Sequence, residues 1–127
     1  MKPTAAQSFD LERLAELRDR HRGMLEDYRR ASAAVQEASK SLARLRAEAA
    51  THPTAAEVLR KPSDLLQKFT VEQLTELQIS PRTVQQIQAA ESRLTRLTAA
   101  RDAMQSTVAR STKFSERLEA FAKARNL

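Results

Sequence analysis

Apolar positions along the chain follow two helical periods separated by a denser patch. Counting from Leu14 in alternating steps of three and four gives Leu17, His21, Met24, Tyr28, Ala31, Val35, Ala38, Leu42, Leu45 and Ala49. No Lys, Arg, Asp or Glu falls on this stripe over about five heptads, which predicts one long helix over residues 8–50 with a coiled-coil seam. Its start is open: Thr4-Ala5-Ala6-Gln7 has the form of a capping box, and Ser8 and Asp10 are also good caps. Ala31, Ala34 and Ala38 thin the middle of the seam, so a partner helix can approach closely there. Gly23 is the weak point of the rod and a place where it can kink.

The second period occupies residues 81–126. Ser80 is an N-cap residue, and Pro81 fits the first helical position, where no N–H is needed. Ile87, Ala90, Leu94, Leu97, Met104 and Val108 form its stripe, which Arg101 interrupts and Phe114, Leu118 and Phe121 continue. Val108, Ser111 and Phe114 are spaced by threes, which predicts a local adjustment of the supercoil near Ser111.

Between the two periods, residues 51–79 carry three start signals. Thr54-Ala55-Ala56-Glu57 has the form of a capping box opening a short helix that Pro62 must close. Ser63-Asp64-Leu65-Leu66 begins a second helix, and Thr70-Val71-Glu72-Gln73 a third. Val58, Leu59, Leu65, Leu66, Phe69, Leu74, Leu77 and Ile79 are then expected to gather into a small apolar knot.

At the helical rise the two long segments are ~65 and ~69 Å and match each other. A parallel pairing would stretch the connector along the whole rod, whereas an antiparallel one lets its short helices compact. The expected fold is therefore all-α: an elongated antiparallel two-helix coiled-coil hairpin, with a connector of short helices packed at its tip or side. It forms one domain over residues 1–127. A two-helix seam leaves other faces partly apolar, and Leu11, Leu25 and Phe121 are available for a second contact. A homo-oligomer or a helical protein partner is expected. The seam residues that would serve it are Leu14, Leu17, Met24, Tyr28, Val35, Leu42, Leu45, Leu94, Leu97, Met104, Val108, Leu118 and Phe121.

Composition narrows the class. One Gly, one Tyr, no Trp and four Phe in 127 residues leave few large side chains for a globular core and favour helix throughout. The chain has no Cys, so neither a disulfide framework nor a thiolate metal site is expected. The first residues lack an apolar run of signal-peptide length, and no stretch approaches the ~20 apolar residues of a membrane span. A cytoplasmic protein without a membrane partner is the expectation.

Charge is uneven. Residues 8–50 carry nine basic and eight acidic side chains, whereas residues 81–127 carry nine basic and four acidic, so the net charge of +6 sits mainly on the last helix. Arg93, Arg96, Arg110, Lys113 and Arg117 run along it, with Arg82 near its start, and phosphates could follow that face. A solvated face of a coiled coil accounts for the same arginines and is the preferred reading. Residues 70–84 also resemble the helix-turn-helix segment of small bacterial DNA-binding domains, on a short helix, a turn and the start Ser80-x-Arg82-Thr83-Val84. That resemblance implies DNA binding through the start of the last helix. It covers about one-eighth of the chain and departs from the pattern: the turn is one residue short and lacks Gly, and Thr75 stands where a small Ala packs. No preceding helix of the trihelical core is evident. Two capped helices in succession explain the same letters.

Catalytic spacing is missing. His21 falls on a seam, where a packed or bridging imidazole is expected, and His52 precedes Pro53 at a helix end, where a capping or loop role is expected. Glu12 with Glu16 and Glu116 with Glu119 are helix-spaced carboxylates, and neighbouring arginines supply ordinary ion pairs. There is no Gly-rich phosphate loop, no His-x-x-x-His pair and no Asp-rich loop, so no metal, cofactor or small-molecule substrate is expected. The sequence reads as a non-enzymatic structural or adaptor protein that self-associates or docks on a larger assembly. A nucleic-acid-binding protein using Arg82, Arg93, Arg96, Arg110, Lys113 and Arg117 is the second reading.

Overall fold

A computed structural model describes the backbone from Ala5 to Leu127 and the side chains from Leu11 onward. Five helices follow in order: α1 (Ala5–Ala49), α2 (Pro53–Leu59), α3 (Ser63–Leu66), α4 (Val71–Glu76) and α5 (Pro81–Ala124). The fold is an all-α helical hairpin in which α1 packs against α5, joined by three short helices. Of the three alternative starts of α1, Thr4 lies outside the described residues, and Ser8 and Asp10 lie within the helix. Gly23 is helical like its neighbours, and α1 runs through it as one element.

By proximity the chain divides into two compact units, and both long helices run through each. Unit 2 spans Ala33–Ala99 and holds the apolar core. Leu42 of α1, Ala55 and Leu59 of α2, Leu66 of α3, Leu74 of α4, Ile79, and Val84 and Ile87 of α5 form one buried cluster. Leu59, Leu66 and Ile87 are fully buried. Val58, Phe69 and Leu77 pack against the cluster, but Leu65 is exposed, so it does not join the knot. On the four-residue α3, Leu66 takes the inward direction and its neighbour turns outward.

Local signals hold these elements in place. Thr70 and Gln73 form a reciprocal capping box, in which the Gln73 N–H donates to Thr70 Oγ1 at 3.2 Å and the Thr70 N–H donates to Gln73 Oε1 at 2.9 Å. Ser80 Oγ accepts from the Thr83 N–H at 3.1 Å, which caps α5. Ile79 and Val84 flank that cap at the positions of a hydrophobic staple, and both are buried in the cluster. Helix α2 differs from its expected start: His52, not Thr54, is the N-cap, and its Nδ1 accepts from the Ala55 N–H at 3.2 Å. Pro53 then takes the first helical position, and the helix ends at Leu59, ahead of Pro62.

Two helix ends use a left-handed residue without glycine. Gln78, at φ 58°, follows α4, with the Ile79 N–H donating to the Leu74 carbonyl at 2.9 Å and the Gln78 N–H to that of Thr75 at 3.0 Å. Asn126, at φ 57°, repeats the arrangement after α5, with the Leu127 N–H donating to the Ala122 carbonyl at 2.8 Å. Both are Schellman closures.

Unit 1 comprises Met1–Ser32 and Ala100–Leu127. Here α1 and α5 are alone, and among the described side chains Leu14 and Ala122 are the buried apolar ones. The α5 seam reads Arg101, Val108, Ser111, Ser115, Leu118 and Ala122, each buried or half-buried. This corrects two expectations. Arg101 is half-buried on the seam, and no change of period occurs at Ser111, because Ser115 fills the position that Phe114 was expected to take.

Candidate protein-interaction groove

On α5, Ser115 and Ala122 take the positions expected for Phe114 and Phe121, and large side chains stay outside. Phe114 is 51% exposed, Phe121 44% and Met104 37%, although the heptad count would draw all three inward. The guanidinium of Arg125 lies over the Phe121 ring at 4.3 Å from its centroid. Phe114 and Met104 border a groove between α1 and α5 in unit 1. One end is lined by Leu17, Arg20, His21, Phe114 and Leu118, the other by Asp27, Ala100, Ala103, Met104 and Val108. Met24 and Thr107 line both ends and mark the middle.

The groove floor is tied by His21 Nδ1 and Ser111 Oγ, which share a hydrogen bond at 2.8 Å. His21 therefore bridges the two helices, as its seam position suggests. On the other side of the pair, Arg18 donates through Nε and Nη2 to the two carboxylate oxygens of Glu119 at 2.6 and 2.8 Å. These hydrogen bonds hold the Glu119 carboxyl below its ordinary value of 4.5 and the Arg18 guanidinium above its own. A carboxylate so lowered contributes stability above its unfolded pKa and loses it as pH falls through the folded one. Both side chains are about half exposed, so the bridge orients the helices more than it stabilises them. One side of unit 1 is thus pinned by a bidentate pair and the other is open and apolar.

The expected interaction seam divides accordingly. Leu14, Val35 and Leu42 are buried within the hairpin and have no surface for a partner. Leu17, Met24, Tyr28, Leu45, Leu94, Leu97, Val108 and Leu118 are half-buried, and Met104 and Phe121 are exposed. Of the two off-seam residues on α1, Leu11 is exposed and Leu25 half-buried. The sequence points to Phe114 as a large residue but not to its outward direction.

All six expected cationic residues are exposed. In unit 2, Arg82, Arg93 and Arg96 share an arc of about 60° on α5, and in unit 1 Arg110, Lys113 and Arg117 share another of similar width. The ion pairs among the described residues join Arg13 to Glu16, Arg18 to Glu119, Arg22 to Asp19, Arg46 to Glu91 and Arg101 to Asp102, and none engages these six.

One polar junction in unit 2 escaped the sequence reading. Glu91 of α5 pairs with Arg46 of α1, and both its oxygens accept from the Ser63 N–H at 3.1 and 3.0 Å. Helix α3 has no side-chain cap of its own, so Glu91 caps it from across the core. The signal was present: Glu91 is the one acidic residue between Pro81 and Arg101, and it adjoins the seam residue Ala90. Among the described residues no helix is long and apolar enough to cross a membrane. Comparison with models of protein families, with curated proteins and with solved structures finds no match.

Proposed function

We propose that the protein is a non-enzymatic structural or adaptor protein that works through the open groove of unit 1, by self-association or by docking a helix of a larger assembly. The observation that carries this is the outward placement of Met104 and Phe114 beside two adjoining hollows that share Met24 and Thr107, next to a seam built of Ser111, Ser115 and Ala122. Two large apolar side chains kept in water on one side of a helix pair mark a surface that a partner covers. An apolar flank of a helix pair is the kind of surface an amphipathic helix covers. Seam substitutions such as Val35→Asp or Leu42→Asp would unfold the hairpin, because both residues are buried inside it. The informative variant is Met104→Glu with Phe114→Glu, read by light scattering after size exclusion and by circular dichroism. Loss of assembly with helix content retained is the expected result. Assembly unchanged in that variant would overturn the reading.

A second reading rests on Arg82, Arg93 and Arg96, which share one exposed arc of α5 without an ion-pair partner among the described residues. A nucleic-acid backbone would meet them by counterion release, and a shift with a short duplex should fade as salt rises. Arg93→Glu with Arg96→Glu should abolish that shift with helicity intact, and an unchanged affinity would sink the idea.

A further inference from the structure

The groove of unit 1 is self-complementary, and we propose that its occupant is the same groove of a second copy, related by a two-fold axis lying across it at the level of Met24 and Thr107. This inference rests on the self-association arm of the function proposed above. Residues on either side of that level match in pairs. On α1, Arg20 lies four residues before Met24 and Asp27 three after it, about 6 and 5 Å along the axis. On α5, Phe114 and Ala100 lie seven residues to either side of Thr107, about 10 Å each way. Because the pair is antiparallel, Arg20, Arg110 and Phe114 occupy one end of the groove, and Asp27, Ala100 and Ala103 the other.

A two-fold rotation exchanges the ends. It sets Asp27 opposite the partner's Arg20, with the partner's Arg110 beside it, and the reciprocal pair forms at the same time. It also sets Phe114, the most exposed of the large groove side chains, over the hollow between the partner's Ala100 and the partner's Ala103. A large knob at one end and two alanines at the other is the shape relation that an isologous interface requires. The charges agree with it, since the end bearing two arginines meets the end bearing an aspartate. Two hairpins joined in this way make a four-helix bundle, which supplies the third and fourth walls that unit 1 lacks.

The chain has no cysteine, so Thr107→Cys gives a single thiol on the proposed axis. Oxidation should convert that variant to a disulfide-linked dimer, whereas Ser39→Cys, exposed in unit 2, should stay uncrosslinked. Asp27→Arg and Arg20→Asp should each weaken dimerisation about tenfold or more, and mixing the two should restore a dimer, because positions 20 and 27 then carry opposite charges across both halves of the interface. Circular dichroism on each variant checks that the hairpin is intact. A wild-type protein that remains monomeric at about 100 μM would overturn the inference and the self-association arm together, leaving the docking arm. A wild-type dimer that neither crosslinks through Thr107→Cys nor re-forms on mixing the two charge variants would overturn this register alone.

Discussion

The same two helices build two different environments. In unit 2 they meet three short helices and bury Val35, Ala38, Leu42, Ala55, Leu59, Leu66, Leu74, Ile79, Val84 and Ile87. In unit 1 they meet no third element, and Leu14 and Ala122 are the buried apolar side chains among those described. The difference is geometric. A side chain between two helices is covered on two flanks, and a third element must close the remaining ones. The connector supplies Ala55, Leu59, Leu66 and Leu74 to that end, and Ile87 reaches zero exposure against them. Where no such element exists, α5 turns small side chains to α1 and keeps Phe114 and Phe121 outside. Stability therefore concentrates in unit 2, and exposed apolar surface such as Met104, Phe114 and Phe121 concentrates in unit 1.

Core truncation should break the symmetry between the units most strongly. Ile87→Ala removes a fully buried side chain and leaves a cavity in a closed cluster, so a loss of about 3 kcal/mol is expected. Leu25→Ala in unit 1, half-buried and away from the groove, should cost about 1 kcal/mol. Urea unfolding followed by circular dichroism measures both. Equal losses would mean that unit 1 is packed as tightly as unit 2.

Polar closure gives the next effect. Glu91→Ala would strip Arg46 of its carboxylate and leave the first N–H of α3 without its acceptor, in a site where both side chains are more than three-quarters buried. A loss of about 2 kcal/mol is expected. Glu119→Ala in unit 1 should change the unfolding midpoint far less, since Arg18 returns to water. If the two variants proved equally destabilising, the contrast between a closed and an open unit would fail on its polar side.

The hairpin and its short helices were legible because their signals are local. Thr70 with Gln73 and Ser80 with Pro81 announce helix starts within four residues, and the stripe from Leu14 to Ala49 carries no charge to obscure it. The start of α2 was set two residues late because the capping-box letters Thr54-Ala55-Ala56-Glu57 outweighed His52, whose ring nitrogen is the cap. The seam of α5 slipped by one position because the count followed large side chains, whereas serines and an alanine fill the contact. Packing against a near neighbour favours small residues over phenylalanine wherever backbones approach closely. The groove could not be read for the same reason, since it exists where seam residues are small and no third element arrives. Gln78 gave no warning of left-handed backbone, because glycine or asparagine usually marks it, whereas Asn126 is one of those residues.

Two backbone substitutions sharpen the comparison with the smallest effects. Gly23 is helical with open space where a Cβ would lie, so Gly23→Ala should stabilise the protein by about 1 kcal/mol through helix propensity. Gln78 holds φ 58°, which costs a residue with a Cβ, and Gln78→Gly should relieve it for a net gain of about 0.5 kcal/mol after the added freedom of the unfolded chain. Hydrogen exchange distinguishes their consequences. If unit 1 opens while unit 2 stays folded, stabilising the native state at Gly23 slows exchange in both units, because each opening then starts from a deeper minimum. A gain at Gln78 persists in the partly open state, so Gln78→Gly should slow the amides near Leu59 and Ile87 about twofold and leave those between residues 14 and 28 unchanged. Equal slowing throughout would show that the two units unfold together, and the division of stability between them would then have no thermodynamic counterpart.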